Sequence, residues 1–205
     1  MVAVVDYGMG NLHSVRSALE FIGAEARVTR DPEDLRAADR IVLPGVGAFG
    51  ECARNLKASG MVDALDEEVR RRGKPLYGIC VGLQVLMDEG LEMGVHEGLG
   101  WVHGVVRRLD VDGSGLKLPH VGWNELDLTI DSPLFAGLPA RPTFYFVHSY
   151  AAEPVDRAVL AATCDYGGSF AAALQMGNIF ATQFHPEKSQ DNGLRLLENF
   201  LAWTP

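Results

Sequence analysis

Pro75-Leu76-Tyr77-Gly78-Ile79-Cys80-Val81-Gly82 is the stretch whose reading decides the fold class. Pro75 to Ile79 is an apolar run, as a strand buried on both faces must be, and the segment beyond Cys80 reads as another helix. Such a strand belongs inside a covered sheet, so further strands of the same kind should alternate with helices. Upstream they do. Val2 to Val5 is a β-branched and alanine run, followed by Gly8, Gly10 and then Leu12, Val15, Ala18, Leu19 and Ile22 at helical spacing. Ala24 to Val28 is a second short strand, and Pro32 to Ala37 a short helix begun by Asp31 as its N-cap. Arg40 to Leu43 is a third strand, ending at Pro44, and a helix from about Phe49 through Arg72, broken near Gly60, leads back to Pro75. This β-α alternation predicts an α/β fold with a mostly parallel central sheet and helices on both faces.

The second half changes character. Trp101 to Leu109, His120 to Leu128, Thr143 to Ala151 and Val159 to Cys164 read as strands with no helices between them. Phe170 to Gln175 and Ile179 to Phe184 flank Met176-Gly177-Asn178, a hairpin signal, and Gly193 to Trp203 closes as an amphipathic helix. The sheet is therefore expected to acquire an antiparallel C-terminal extension. With no repeat, linker or low-complexity tract, residues 1–205 read as one domain.

With 18 Lys+Arg against 27 Asp+Glu, the 205 residues carry a formal charge of −9. That balance excludes nucleic acid and anionic membrane surfaces as partners and leaves small neutral or zwitterionic substrates and other proteins. The first ten residues lack the basic region of a signal peptide, and no apolar stretch approaches the ~18 residues of a membrane span, so a cytoplasmic location is expected. Cys52, Cys80 and Cys164 are odd in number and widely separated, without a CxxC pair, so neither a disulfide framework nor a metal site is expected.

Gly78-Ile79-Cys80-Val81-Gly82 has the G-x-nucleophile-x-G spacing of a nucleophile elbow. The turn strains the central residue and leaves no room for side chains at the flanking positions. Cys80 would also stand at a helix N-terminus, whose dipole favours a thiolate. The bland alternative is a buried cysteine packing as a small hydrophobe. His185-Pro186-Glu187 favours the chemistry: Pro186 pushes His185 into an extended conformation, and residues i and i+2 then share a side, putting Glu187 beside the imidazole. Nucleophile, base and orienting carboxylate make a triad. His13, His96, His103, His120 and His148 have no such partner spacing. Pro44-Gly45-Val46-Gly47-Ala48-Phe49 follows the third strand, where a parallel sheet presents its ligand site. Either it is a plain tight turn, or the Val46 N–H joins that of Val81 as an oxyanion donor. Gly8-Met9-Gly10-Asn11-Leu12-His13 invites a dinucleotide-binding reading, but His13 occupies the third glycine position; a tight turn with Asn11 capping a helix, or an interaction surface, is what remains.

Assembled, these residues resemble the class I, triad-type glutamine amidotransferases, and within them the glutaminase subunits of imidazole glycerol phosphate synthase. The resemblance rests on Asp6 to Leu12, Leu43 to Phe49, Gly78 to Gln84, Pro119 to Asn124, Phe144 to Tyr150 and Gln183 to Ser189, which span the chain. Val81, Leu83 and Ala181-Thr182 depart slightly from the familiar pattern without touching the chemistry. The resemblance implies Cys80 as nucleophile, His185 as acid/base and Glu187 as its orienter. It also implies glutamine bound by Gly45, Gly47, Gln84, Ser149 and Tyr150, and no cofactor. Glutamine would be hydrolysed through a γ-glutamyl thioester, and the ammonia passed to a (β/α)8-barrel cyclase subunit in histidine biosynthesis. Gly10, Asn11, Trp123, Tyr145 and Lys188 would face that partner. Glycine at position 45 permits either orientation of the Gly45-Val46 peptide, so a resting loop that opposes the oxyanion would make the isolated chain a poor glutaminase. Another class I amidotransferase, such as the glutaminase subunit of pyridoxal phosphate synthase, and a silent binding module in which Cys80 only packs are the competing readings.

Overall fold

The computed structural model describes all residues from Met1 to Pro205. The first half of the chain lays down β1 (Val2–Val5), α1 (Leu12–Phe21), β2 (Ala26–Thr29), α2 (Pro32–Ala37), β3 (Arg40–Gly45), α3 (Phe49–Ala58), α4 (Val62–Leu65), β4 (Leu76–Cys80) and α5 (Val81–Gln84). Asp31 caps α2 as its sequence demands, accepting from the Glu33 N–H. The long helix expected from Phe49 breaks at Gly60, whose φ of 74° suits only glycine, and α4 ends in a π-helical turn, Asp66–Arg71. Strands β1 and β4 are buried at every residue, which is why their sequences show no alternation.

The second half supplies β5 (Met87–Gly90), β6 (His96–Glu97), β7 (Val102–Arg108), β8 (His120–Glu125), β9 (Asp127–Leu128), β10 (Thr143–His148), β11 (Tyr150–Pro154), β12 (Leu160–Asp165), β13 (Ser169–Met176), β14 (Ile179–Thr182) and the closing helix α6 (Gln190–Ala202). The central sheet runs β2-β1-β3-β4-β14-β13-β12-β9. From β2 to β14 every neighbour is parallel, and the remaining edge is antiparallel. The anticipated hairpin joins β13 to β14, with Gly177 at φ 54° in the turn.

Three details differ from the sequence reading. Not all of the later strands extend the central sheet: β8 pairs with β10, and β5, β6, β7 and β11 form a third sheet. The runs His120 to Leu128 and Thr143 to Ala151 each split into two strands, at Leu126 and Ser149, so that one apolar run serves two partners. The helix after Cys80 is a single turn, too short to build a macrodipole that would by itself stabilise a thiolate.

The centre of the fold is held by close backbone contact. A β-carbon on Gly82 would fall 1.9 Å from the Leu43 carbonyl oxygen, and one on Gly45 would fall 2.7 Å from the Gly82 nitrogen. A Gly82→Ala chain is therefore expected to lose about 3 kcal/mol or more, because backbone cannot rotate away as a side chain can. Gly168→Ala, where nothing lies within 4 Å and the backbone is ordinary, should stay within about 0.5 kcal/mol of the parent. Urea unfolding of the two variants checks the contrast.

Candidate active site

Strand β4 delivers Cys80 at the carboxyl edge of the sheet, and the chain turns there with φ 56° and ψ −111°. A non-glycine residue at positive φ is strained and persists only where its surroundings over-determine it. Those surroundings are glycines: a β-carbon on Gly78 would meet the Gly82 carbonyl oxygen at 2.9 Å. The expected elbow is thus present at Cys80. Burial raises the Cys52 thiol to about 11 and Cys164 to about 12, which leaves both inert near neutrality.

Beside β4, strand β14 leads through Gln183 and Phe184 to His185. The His185 N–H donates to the Tyr145 carbonyl at 3.0 Å, and the Ser189 hydroxyl donates to the His185 carbonyl at 2.6 Å. With the backbone held extended, the ring meets Glu187 as its spacing predicts: His185 Nδ1 lies 2.8 Å from Glu187 Oε1. Both side chains are almost wholly buried. Burial alone would push the imidazole down, but the Cys80 sulfur and the Glu187 carboxylate override it and raise His185 to about 10. His185 Nε2 is buried without a hydrogen-bond partner in the chain, so it is the nitrogen left to serve a reacting group.

Cys80 and His185 line one cleft of about 260 Å³ with Val46, Gly47, Val81, Gln84, Ser149, Tyr150 and Lys188. Every expected substrate residue but Gly45 therefore borders it. Gly45 lies directly beneath, paired with Cys80 across the β3–β4 ladder. The Val46 N–H makes no hydrogen bond within the chain, and Val46 is partly exposed. The Gly8 to Asn11 loop packs on the same corner: a β-carbon on Gly10 would touch Pro44, and one on Gly47 would touch the Met9 side chain. Asn11 occupies the N-cap position of α1 without making the side-chain cap bond expected of it.

The family model for class-I glutamine amidotransferases matches residues 3–203. The chain belongs to that family. Among curated relatives it is 50% identical to imidazole glycerol phosphate synthase subunit HisH of Rhodospirillum rubrum, covering 100% of this chain and 99% of the relative. It is 49% identical to subunit HisH 1 of Campylobacter jejuni, covering 98% and 99%. Among solved structures, one described as a glutamine amidotransferase superposes with a TM-score of 0.74 at 22% identity, covering 98% of each chain. PurLQS from Thermotoga maritima superposes at 0.73 and 22% identity, covering 98% and 97%. At that identity the two structures speak to the fold alone: an α/β amidotransferase architecture built on a mostly parallel sheet.

Around the cleft of this amidotransferase the structure adds one residue, Glu92, that sequence reading passed over. Glu92 borders the cleft and its Oε2 accepts from the Phe49 N–H at 2.8 Å, capping α3 from a loop more than forty residues away. Nothing in its local sequence signals that. The mouth carries Lys188, whose Nζ sits 5.8 Å from the centre of the Tyr145 ring, and Tyr145 pairs across β10–β8 with Trp123, edge to face at 6.2 Å. Trp123 stays half exposed. Lys188 also borders the start of α1 at His13 and Ser14. Of the residues expected to face a partner, Lys188 borders the cleft; Tyr145 and Trp123 follow from it in a chain of ring contacts, and the loop carrying Gly10 and Asn11 packs on Pro44.

His120 and His148, without partners by sequence spacing, form a buried pair, His120 Nδ1 to His148 Nε2 at 3.1 Å. Burial pushes each imidazole down to about 4. Free in the unfolded chain they titrate near 6.5, so between about pH 4 and 6.5 the unfolded state binds more protons. Stability from this pair is complete above pH 6.5 and is lost as pH falls towards 4. Unfolding temperature should drop across that window, with a shallower slope in His120→Gln; thermal melts at closely spaced pH values test it.

Proposed function

We propose that this chain is the glutaminase subunit of imidazole glycerol phosphate synthase, a single domain over residues 1–205, acting by a Cys80-His185-Glu187 triad. The observation that carries the reading is the buried His185 Nδ1–Glu187 Oε1 contact of 2.8 Å beside a cysteine held at positive φ. With Cys80 ionised and His185 protonated, the sulfur attacks the side-chain carbonyl carbon of glutamine. The oxygen becomes negative and is held by the N–H groups of Val46 and Val81. Collapse of this intermediate breaks the carbon–nitrogen bond, His185 Nε2 gives its proton to the leaving nitrogen, and ammonia departs from a γ-glutamyl thioester. Water then attacks the thioester with His185 as base, releasing glutamate and the thiolate. Glu187 holds the ring in its tautomer and offsets the imidazolium charge without taking the proton.

Ser149, Tyr150, Gln84 and Gly47 offer polar contacts to the substrate from the cleft wall, and the Glu92 carboxylate complements its α-ammonium group. No metal or cofactor enters, since every step is proton transfer or acyl transfer. Ammonia that reached bulk water would protonate and lose its nucleophilicity, so the cleft mouth should be covered by the barrel-fold cyclase subunit. The aromatic and basic cluster of Trp123, Tyr145 and Lys188, with Gly10 and Asn11 beside it, supports that docking face. The unbonded Val46 N–H is free to serve as an oxyanion donor, and the Gly45-Val46 peptide would be the element that partner docking sets in place; losing one donor costs about 10² to 10³ in turnover.

Cys80→Ala in the assembled enzyme should abolish glutamine-dependent synthesis while synthesis from added ammonium continues; hydrolysis at the parent rate in that variant contradicts the triad. Trp123→Ala should leave the triad intact but lower the ratio of synthesis to hydrolysis, read as free ammonia released per product formed. An unchanged ratio together with unchanged assembly would move the docking face elsewhere.

A further inference from the structure

Gln183 takes no part in the mechanism above, yet it is completely buried and its Nε2 lies 3.6 Å from the Cys80 sulfur. Which end of a carboxamide faces a neighbour is set by the hydrogen bonds around it, and here they leave one solution. The Tyr150 carbonyl can only accept. Gln84 approaches it at 3.0 Å, so the Gln84 group there is its NH2. The same NH2 reaches Gln183 at 3.0 Å, so the atom of Gln183 that meets it is the oxygen. The NH2 of Gln183 must therefore point at Cys80.

The Tyr150 carbonyl is itself fixed from the other side. His148 Nδ1 lies 2.9 Å from it and must carry a proton, which leaves His148 Nε2 to accept from His120 Nδ1–H. His120 Nε2 then accepts from the Asn124 amide, whose Nδ2 also donates to the Asp165 carbonyl at 2.9 Å. The orientation at Cys80 is thus anchored by the Tyr150 backbone carbonyl, which the histidine pair holds in place.

We propose that Gln183 is a further catalytic residue, whose NH2 donates to the Cys80 sulfur and favours the thiolate over the thiol. The inference rests on the reading of Cys80 as the nucleophile. A thiolate accepts a hydrogen bond far better than a thiol, and hydrogen bonds to a charged group contribute about 1.5 to 3 kcal/mol, or roughly ten- to a hundredfold in an equilibrium. This supplies what the one-turn helix after Cys80 does not. An acceptor in the same place would repel the thiolate instead.

The test compares the full chain with Gln183→Met and Gln183→Glu. Glutamate keeps an oxygen for the Gln84 NH2 but turns a second oxygen towards the sulfur, whereas methionine keeps only the bulk. Carbamidomethylation of Cys80 by iodoacetamide is followed across pH by mass spectrometry, and kcat and KM for glutamine are measured with the partner bound. The expected result at pH 7 is alkylation slowed about tenfold in Gln183→Met and further in Gln183→Glu. The half-maximal pH should move upward, the limiting rate at high pH should be retained, and kcat should fall with KM little changed. A methionine variant that loses more than the glutamate variant, with an unmoved pH profile, overturns the proposal and leaves Gln183 as support for Gln84. Faster alkylation at every pH in both variants overturns it as well, since that reports loosened packing. Should the methionine variant not fold, the glutamate profile decides alone, an unmoved midpoint being the contradicting result. Failure of the underlying triad reading is distinguishable, because the parent chain would then keep hydrolysing glutamine after Cys80 is fully alkylated.

Discussion

The structure depends on one close approach, the end of β3 against the turn that follows β4. With only hydrogen where side chains would stand on Gly45, Gly78 and Gly82, the Leu43 carbonyl and the Gly82 backbone come together more closely than any β-carbon would allow. That contact forces the sharp turn, and the turn puts Cys80 at φ 56° with its side chain at the edge of the sheet. The same contact brings the Pro44 to Gly47 loop beside the cysteine. Strain at residue 80 is thus compensated by the buried parallel strands on either side of it.

The second half of the site is held by side chains stapling backbone. Ser189 accepts from the Tyr145 N–H and donates to the His185 carbonyl, and His185 donates back to Tyr145, so β10 and the His-Pro-Glu segment are tied together by three hydrogen bonds. A β-carbon on Gly193 would fall 1.9 Å from the Pro186 carbonyl oxygen, which seats α6 directly under the same segment. The imidazole and its carboxylate are therefore positioned by three elements at once, and Tyr145 couples them to the aromatic cluster at the cleft mouth. Any body that docks on Trp123 and Tyr145 rests on the strand pair whose Tyr145 carbonyl holds the His185 N–H.

What was legible in the sequence was local. The apolar runs of β1, β3 and β4, the Asp31 cap, the Gly60 break, the Gly177 hairpin and the elbow glycines each announce themselves within a few residues. So does the His185–Glu187 contact, because a proline fixes the geometry between them. What stayed hidden depends on distant partners. The sequence shows β8 and β10 as strands without saying that they form a sheet of their own. Gln183, Glu92 and the His120–His148 pair acquire their roles from residues 28 to 103 positions away. Asn11 shows the opposite failure: an apt cap residue in the right place whose side chain makes no cap bond.

The central claim is that Cys80 is the one nucleophilic sulfur of a glutamine-hydrolysing site. Its most direct test is reaction of the chain, with the cyclase subunit bound, with the glutamine-like electrophile 6-diazo-5-oxonorleucine, followed by mapping of the modified residue by mass spectrometry. The account predicts a single adduct on Cys80, loss of hydrolysis in proportion to it, protection by glutamine, and no reaction at Cys52 or Cys164. An adduct on any other residue, or full hydrolysis in a chain quantitatively labelled at Cys80, would contradict it.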